Sequence, residues 1–232
     1  MPCVLLTGAN RGLGLEFVRQ YLANDWDIIA TCRNPESAAE LLDLEAKSQG
    51  RIKIYSLEVT DNDAIADLAI KINSVSIDVF IQNAGILLED RFRHGNNDDR
   101  LQIFRINTLS LLNMAEAFVD LIAASNQKKL VYISSLKSST AISAGQTGGG
   151  EYCYRASKAA GNSIIKTLSY DLAEQNIITA AISPGWVRTD MGGPNAAMSC
   201  EESVSMVREV IENLSANDSG KFFNQAGEQN PW

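Results

Sequence analysis

Short apolar runs alternate along this chain with longer stretches in which apolar positions recur every third or fourth residue. CVLLT (3–7), DIIAT (27–31), KIYSL (53–57), IDVFI (77–81), LVYIS (130–134) and TAAIS (179–183) have the length of buried strands, and KFFN (221–224) predicts a seventh. Between them, amphipathic stretches near 12–24, 35–48, 61–73, 99–125, 152–174 and 201–215 predict helices. In the first of these, Leu13, Leu15, Phe17, Val18, Tyr21 and Leu22 keep one broad face apolar. Alternation this regular predicts an α/β fold built of right-handed βαβ units. The expected architecture is a Rossmann-type, doubly wound parallel sheet of about seven strands with helices on both faces. No repeat or linker interrupts it, so one domain over 1–232 is expected, with loop-like insertions at 86–98 and 136–150.

Composition narrows this frame without changing it. The 232 residues are 45% hydrophobic and 21% charged, ordinary for a globular chain that buries a sizeable core. A net charge of −8 argues against nucleic-acid partners, which need a basic stripe. Cys3, Cys32, Cys153 and Cys200 form no C-x-x-C, so the expectation is reduced thiols in a cytoplasmic protein and no metal. The single histidine, His94, lies in the polar stretch DRFRHGNNDD and rules out most His-based triads and multi-His sites. MPCVLL is too short for a targeting region. The longest apolar stretch, 109–124, is interrupted by Asn113, Glu116 and Asp120, so no membrane span is expected.

The chemistry begins at TGANRGLG (7–14), where glycines 8, 12 and 14 follow a strand and open a helix. In that context Gly8 allows a tight turn, Gly12 lets backbone approach a pyrophosphate, and Gly14 lets helix and sheet pack closely. The helix N-terminus adds N–H groups and partial positive charge for phosphate. A dinucleotide site for NAD usually carries an acidic residue roughly 20 positions on, at the end of the second strand. Here that strand end reads ATCRN, with Arg33 and no acid, and Arg11 lies in the turn itself. Two guanidiniums suit a 2′-phosphate and favour NADP(H) over NAD. YRASK then puts Tyr154 and Lys158 four positions apart on one helix face. A cation that close is expected to lower the phenol's pKa toward working pH.

The glycine spacing, T-G-x-x-x-G-x-G, resembles that of the short-chain dehydrogenase/reductase family, and further motifs match it residue by residue. The resemblance implies cofactor contacts from Gly8, Asn10, Arg11, Gly12, Leu13 and Gly14 of the turn, and from Arg33. QNAG (82–85) matches the family's N-A-G with Asn83, Ala84 and Gly85. Glu58 stands where Asp is usual before Val59, at the adenine contact. Asn107, in RINTLSLLN, matches the family's helix asparagine, with Ser110 in place of the usual glycine. Ser135 of ISS (133–135) is the better match to the catalytic serine and Ser134 the alternative, since strand neighbours face opposite ways. In PGWVRTD (184–190), Pro184, Gly185, Val187 and Thr189 match positions that embrace the nicotinamide. Stretches such as GGGEYCYRASKAA and FFNQAGEQNPW look like the C-factor/sniffer-like carbonyl reductase branch, from which Ser183 and Ala226 are departures.

What this resemblance implies is hydride transfer between a nicotinamide and a carbonyl carbon. Tyr154 is then the proton donor, and Ser135 holds the same oxygen. Lys158 holds the ribose and tunes Tyr154, while Asn107 positions a relay water. The implied activity is NADPH-dependent reduction of aldehydes, ketones or quinones. NAD-linked alcohol oxidation and a C-factor-like regulatory NADP-binding protein remain as alternatives. SAGQTGGG (143–150) lengthens the interval between Ser135 and Tyr154, and a mobile flap is expected there. The family's dimers pair helices corresponding to 99–125 and 152–174, which implies a homodimer.

Overall fold

A computed structural model of the chain describes residues 1–142 and 144–232. Its strands are β1 (Cys3–Thr7), β2 (Asp27–Cys32), β3 (Ile52–Ser56), β4 (Val79–Gln82), β5 (Lys129–Ile133), β6 (Ile178–Ile182) and β7 (Lys221–Phe223). They form one sheet in the order β3-β2-β1-β4-β5-β6-β7, and every pairing is parallel. Each run expected as a strand is one, with its ends displaced by two residues at most. β1, β4 and β5 are wholly buried, which is why they read as unbroken apolar runs rather than as alternations. The strand order reverses between β1 and β4, so the chain leaves those two carboxyl ends in opposite directions and opens a crevice between them.

The helices are α1 (Gly12–Ala23), α2 (Ala39–Lys47), α3 (Asn62–Lys71), α4 (Asn97–Phe104), α5 (Ser110–Ala123), α6 (Ala144–Thr147), α7 (Tyr152–Asp171) and α8 (Cys200–Asn213). On one face of the sheet Phe17 and Val18 of α1, Leu41 of α2 and Val204 and Val207 of α8 pack on Val4, Leu6 and Val131. On the other, Ile65 and Leu68 of α3, Phe118 of α5 and Ile165 of α7 pack on Leu5, Phe80 and Leu130. Wholly buried rings such as Phe17, Phe80 and Phe118 each contribute about 1.5–3 kcal/mol.

Three helical expectations need correction. The stretch 35–48 divides: Pro35–Ser37 form a tight 3-10 turn and the α-helix starts at Ala39. Proline lacks an N–H and fits a first turn, so the sequence reads as one helix while the backbone makes two pieces. The stretch 99–125 starts earlier, where the Asn96 side chain accepts a hydrogen bond from the Asp98 N–H, and a π-helical turn, Arg105–Leu109, divides it. By length and composition the helix Asn97–Ala123, with an 18-residue window of mean hydropathy 1.3, could cross a membrane. Here Leu111, Met114, Phe118 and Ile122 spend that apolarity on the core. The insertion at 136–150 contains α6, and the Arg155 guanidinium donates to the Thr147 hydroxyl at 2.9 Å and to the Gly150 carbonyl at 3.0 Å. Ser143, the first residue of the expected flap, lies outside the described residues.

Candidate active site

The crevice at the β1/β4 reversal is a cleft of about 400 Å³. Its floor is tied together by Thr7, the last residue of β1. The Thr7 hydroxyl accepts from the Asn83 and Ala84 N–H groups at 3.0 and 2.9 Å and donates to the Gln82 side chain. Asn83 returns its amide to the Thr7 and Gly8 carbonyls. Gly8 and Gly12 hold φ of +67° and +53°, a region that a side chain strains. Gly14 is needed for another reason: a Cβ there would collide with the Gly8 carbonyl and crowd Asn83. α1 has no side-chain cap, so its first-turn N–H groups keep their affinity for an anion.

One end of this cleft holds two arginines, each facing a carboxylate. Arg11 and Arg33 line it together with Asn34, Ser37, Glu58 and Val59. The Arg33 guanidinium lies 3.9 Å from the Glu58 carboxylate, whose other oxygen accepts from the Thr60 hydroxyl and N–H. Arg11 meets Asp190 across the cleft at 2.6 Å. All four of these charged side chains are well exposed, so the two pairs add little to stability.

The other end is buried and nearly uncharged. Lys158 is buried, and its ammonium donates to the Ile133 carbonyl at 2.7 Å. Burial pulls its pKa down from 10.5 to about 7. Tyr154 lies one turn earlier, its ring also buried. Burial raises the phenol's pKa, a hydrogen bond with the Ser135 hydroxyl pulls it down, and the Glu151 carboxylate raises it again. The net direction is upward, which corrects the expectation drawn from the Tyr–Lys spacing. Spacing reports that two groups share a helix face, but not the burial of the ring, which is the largest influence on the phenol.

The two candidate serines have different surroundings. Ser134 lines the cleft, but its hydroxyl donates to the buried Asn162 side chain at 2.6 Å and lies 3.3 Å from Ser138. Ser135 bonds Tyr154 and accepts from the Lys137 N–H at 3.2 Å. Ser183, which looked like a departure, fixes this corner: its hydroxyl accepts from the Leu136 N–H at 3.0 Å. Asn107 sits within the π-helical turn and clamps the Ile86 peptide, accepting from its N–H at 2.8 Å and donating to its carbonyl at 2.9 Å. Ser110, at the position usual for glycine, is buried and donates to the Ile106 carbonyl while accepting from Gln82.

Most of the expected residues therefore line one cleft: Gly8, Asn10, Arg11, Gly12, Leu13 and Gly14, then Arg33, Glu58, Val59, Asn83, Ala84 and Gly85, and finally Tyr154, Lys158, Pro184 and Thr189. Gly185, Val187, Ser135 and Asn107 stand behind or beside its wall. The sequence reading missed Asn34, Ser37, Leu57, Ile106 and the Ile133 carbonyl. Polar residues directly after the Arg33 strand end, in RNPES, were an available signal for the first two. For the others the sequence carries none, because their roles depend on which strand ends lie side by side.

Comparison with known proteins places the chain in a family. The short chain dehydrogenase family model matches residues 2–199. C-signal of Myxococcus xanthus is 35% identical over 157 residues, covering 67% of this chain and 93% of that protein. Among solved structures, the carbonyl reductase Sniffer of D. melanogaster superposes with a TM-score of 0.92 at 33% identity, covering the whole of both chains. The NADPH-bound carbonyl reductase from chicken fatty liver gives 0.93 at 33% identity, covering all of this chain and 99% of that one.

Proposed function

The chain belongs to the short-chain dehydrogenase family, and from that premise we propose that it reduces carbonyl compounds, namely aldehydes, ketones or quinones, with NADPH. One observation carries the reading. A buried phenol bonded to a serine and a buried lysine close one end of a cleft whose other end holds two arginines. The residues fit a phosphorylated dinucleotide: an uncapped helix N-terminus behind a glycine turn faces the diphosphate path, and Arg11 and Arg33 suit a 2′-phosphate. The likeness to the carbonyl reductases of chicken fatty liver and D. melanogaster supports the same class.

The nicotinamide, when bound, supplies the hydride; the protein handles binding and the proton. Gly8 and Gly12 would let the backbone of Asn10–Leu13 approach the diphosphate, Gly14 lets the helix pack on the turn, and Val59 with the Asn83–Gly85 turn would hold the adenosine. Pro184 and Thr189, backed by Gly185 and Val187, would hold the nicotinamide ring. Lys158 has one donor on the Ile133 carbonyl and keeps the others for ribose hydroxyls. Tyr154 gives its proton to the carbonyl oxygen as the alkoxide develops, and Ser135 donates a hydrogen bond to that oxygen. A carbonyl, a hydride and a proton thus yield an alcohol, and Tyr154 recovers its proton from solvent. Since burial keeps the phenol protonated through neutral pH, it suits the reductive direction.

A panel of aldehydes, diketones and quinones, followed by NADPH absorbance, tests this. Turnover of at least one class is expected. NADPH binding without turnover of any would favour the second reading, a regulatory protein that responds to cofactor occupancy, for which the likeness to C-signal speaks.

A further inference from the structure

We propose that Tyr132, on β5, is a positioning residue of this site: its ring face is the platform for the Lys158 ammonium, and its hydroxyl fixes the Asn107 peptide. This rests on the reading that Lys158 and Asn107 serve the reaction. The Lys158 Nζ lies 4.6 Å from the centroid of the Tyr132 ring. The Tyr132 hydroxyl donates to the Asn107 carbonyl at 2.8 Å, inside the π-helical turn. Tyr132 heads the wholly buried side chains by volume, so both contacts are made without competition from water.

Room for this ring is made on α7. A Cβ on Gly161 would lie 2.5 Å from two Tyr132 ring carbons and 2.6 Å from its hydroxyl. Gly161 follows Lys158 by three positions, so the glycine that admits the ring and the lysine that rests on it share a helix face. A large strand residue, a small helix residue and a cation are fitted to one another here.

The physical need is clear from the surroundings of the ammonium. It is buried, and burial alone accounts for its lowered pKa. Tyr154 on its own helix and Tyr132 on β5 are the titratable groups facing it among the described residues. The Ile133 carbonyl, Gly85 and Asn107 bring only peptide and amide. A carboxylate would hold the charge but repel an anionic cofactor. The negative face of a neutral ring favours the cation without adding an anion, and it takes up no N–H donor. Tyr132 stays neutral, because burial and the neighbouring Tyr154 drive its own pKa well up.

The test reads Lys158 directly, in the protein without cofactor, by titrating lysine 13Cε shifts and assigning the signal with Lys158→Met. Tyr132→Phe keeps the ring and should leave the midpoint within about 0.3 pH units of the parent. Tyr132→Leu should lower it by about half to one and a half units, the span that cation–π strengths imply. Should Tyr132→Leu fail to fold, pentafluorophenylalanine at 132 keeps the shape, withdraws charge from the ring face, and should lower the midpoint likewise. A merely structural tyrosine would lower Tm and leave the midpoint in place. Unchanged or raised midpoints with the leucine or fluorinated side chain overturn the proposal. A lowered midpoint in a parent protein that reduces no carbonyl would instead leave the platform standing and remove the catalytic reading.

Discussion

Replacing Tyr154 by phenylalanine separates chemistry from structure, because the change removes one oxygen and no carbon. The ring is buried, with 8% of the residue exposed, so no cavity forms and its apolar packing is kept. What disappears is the hydrogen bond with Ser135, a net of about 0.5–1.5 kcal/mol. Part of that returns, because a phenol need no longer be buried. For a chain of this size 1 kcal/mol moves Tm by about 2–4 °C. The rate should respond on another scale: loss of a placed proton donor costs about 10²–10⁴-fold, or roughly 2.7–5.5 kcal/mol of barrier. Steady-state kcat with a reactive quinone or aldehyde should therefore collapse, while NADPH affinity from a fluorescence titration changes by less than about tenfold. If Tyr154→Phe retains kcat within a factor of ten for every substrate that the parent reduces, Tyr154 is not the donor and the mechanism fails.

Arg33→Asp should weaken NADPH binding tenfold or more, as loss of a charge-assisted phosphate contact worth about 1.5–3 kcal/mol requires. Equal constants for NADPH and NADH in the parent would refute the assignment. Lys158→Met should change how stability depends on pH. The native pKa is depressed from 10.5 to about 7, so between those values the unfolded chain binds more protons and Lys158 makes the parent gain stability as pH rises. Urea unfolding of the methionine variant should lack that gain; parallel slopes for both proteins between pH 7 and 10 would show that Lys158 is not buried as described. On light scattering we expect a homodimer through the α5 and α7 faces, and a mass near the single-chain 25.2 kDa at micromolar concentration would exclude it.

How much of this was legible in the sequence depended on whether the signal was local. Buried parallel strands announce themselves as apolar runs, so β1 to β7 were readable to within two residues. The glycine turn was readable because each glycine answers a local demand at a strand–helix junction. The π-helical turn at Arg105–Leu109 was not, since the apolar spacing of 99–125 continues across it. The engagement of the Ser134 hydroxyl by Asn162, 28 residues on, was not readable at the strand end. The shift at Tyr154 was misjudged in sign, because helix spacing shows the lysine four positions on but not the burial around the ring.

The two ends of the cleft differ in how tightly they are specified, and that difference bears on substrate range. On the cofactor side Thr7, Asn83, Asn107 and Ser110 are each held by two or more hydrogen bonds within or beside the sheet, and Lys158 is anchored on the Ile133 carbonyl. The rim beyond them is apolar and open: Trp186 is 58% exposed, Met191 45% and Leu136 38%. The Trp186 indole N–H donates to the Gly192 carbonyl at 2.8 Å, and the Leu136 N–H to the Ser183 hydroxyl at 3.0 Å. An apolar wall distinguishes substrates by only about 1–3 kcal/mol per methylene, whereas a site built to pair a substrate's polar groups rejects the wrong one far more strongly. A rim of this kind should therefore accept carbonyl compounds of varied shape. Across the panel kcat/KM should vary mainly through KM, and Trp186→Ala should raise KM for bulky apolar substrates while leaving kcat within about threefold. A kcat that falls with KM unchanged would place Trp186 in the chemical step instead of on the rim.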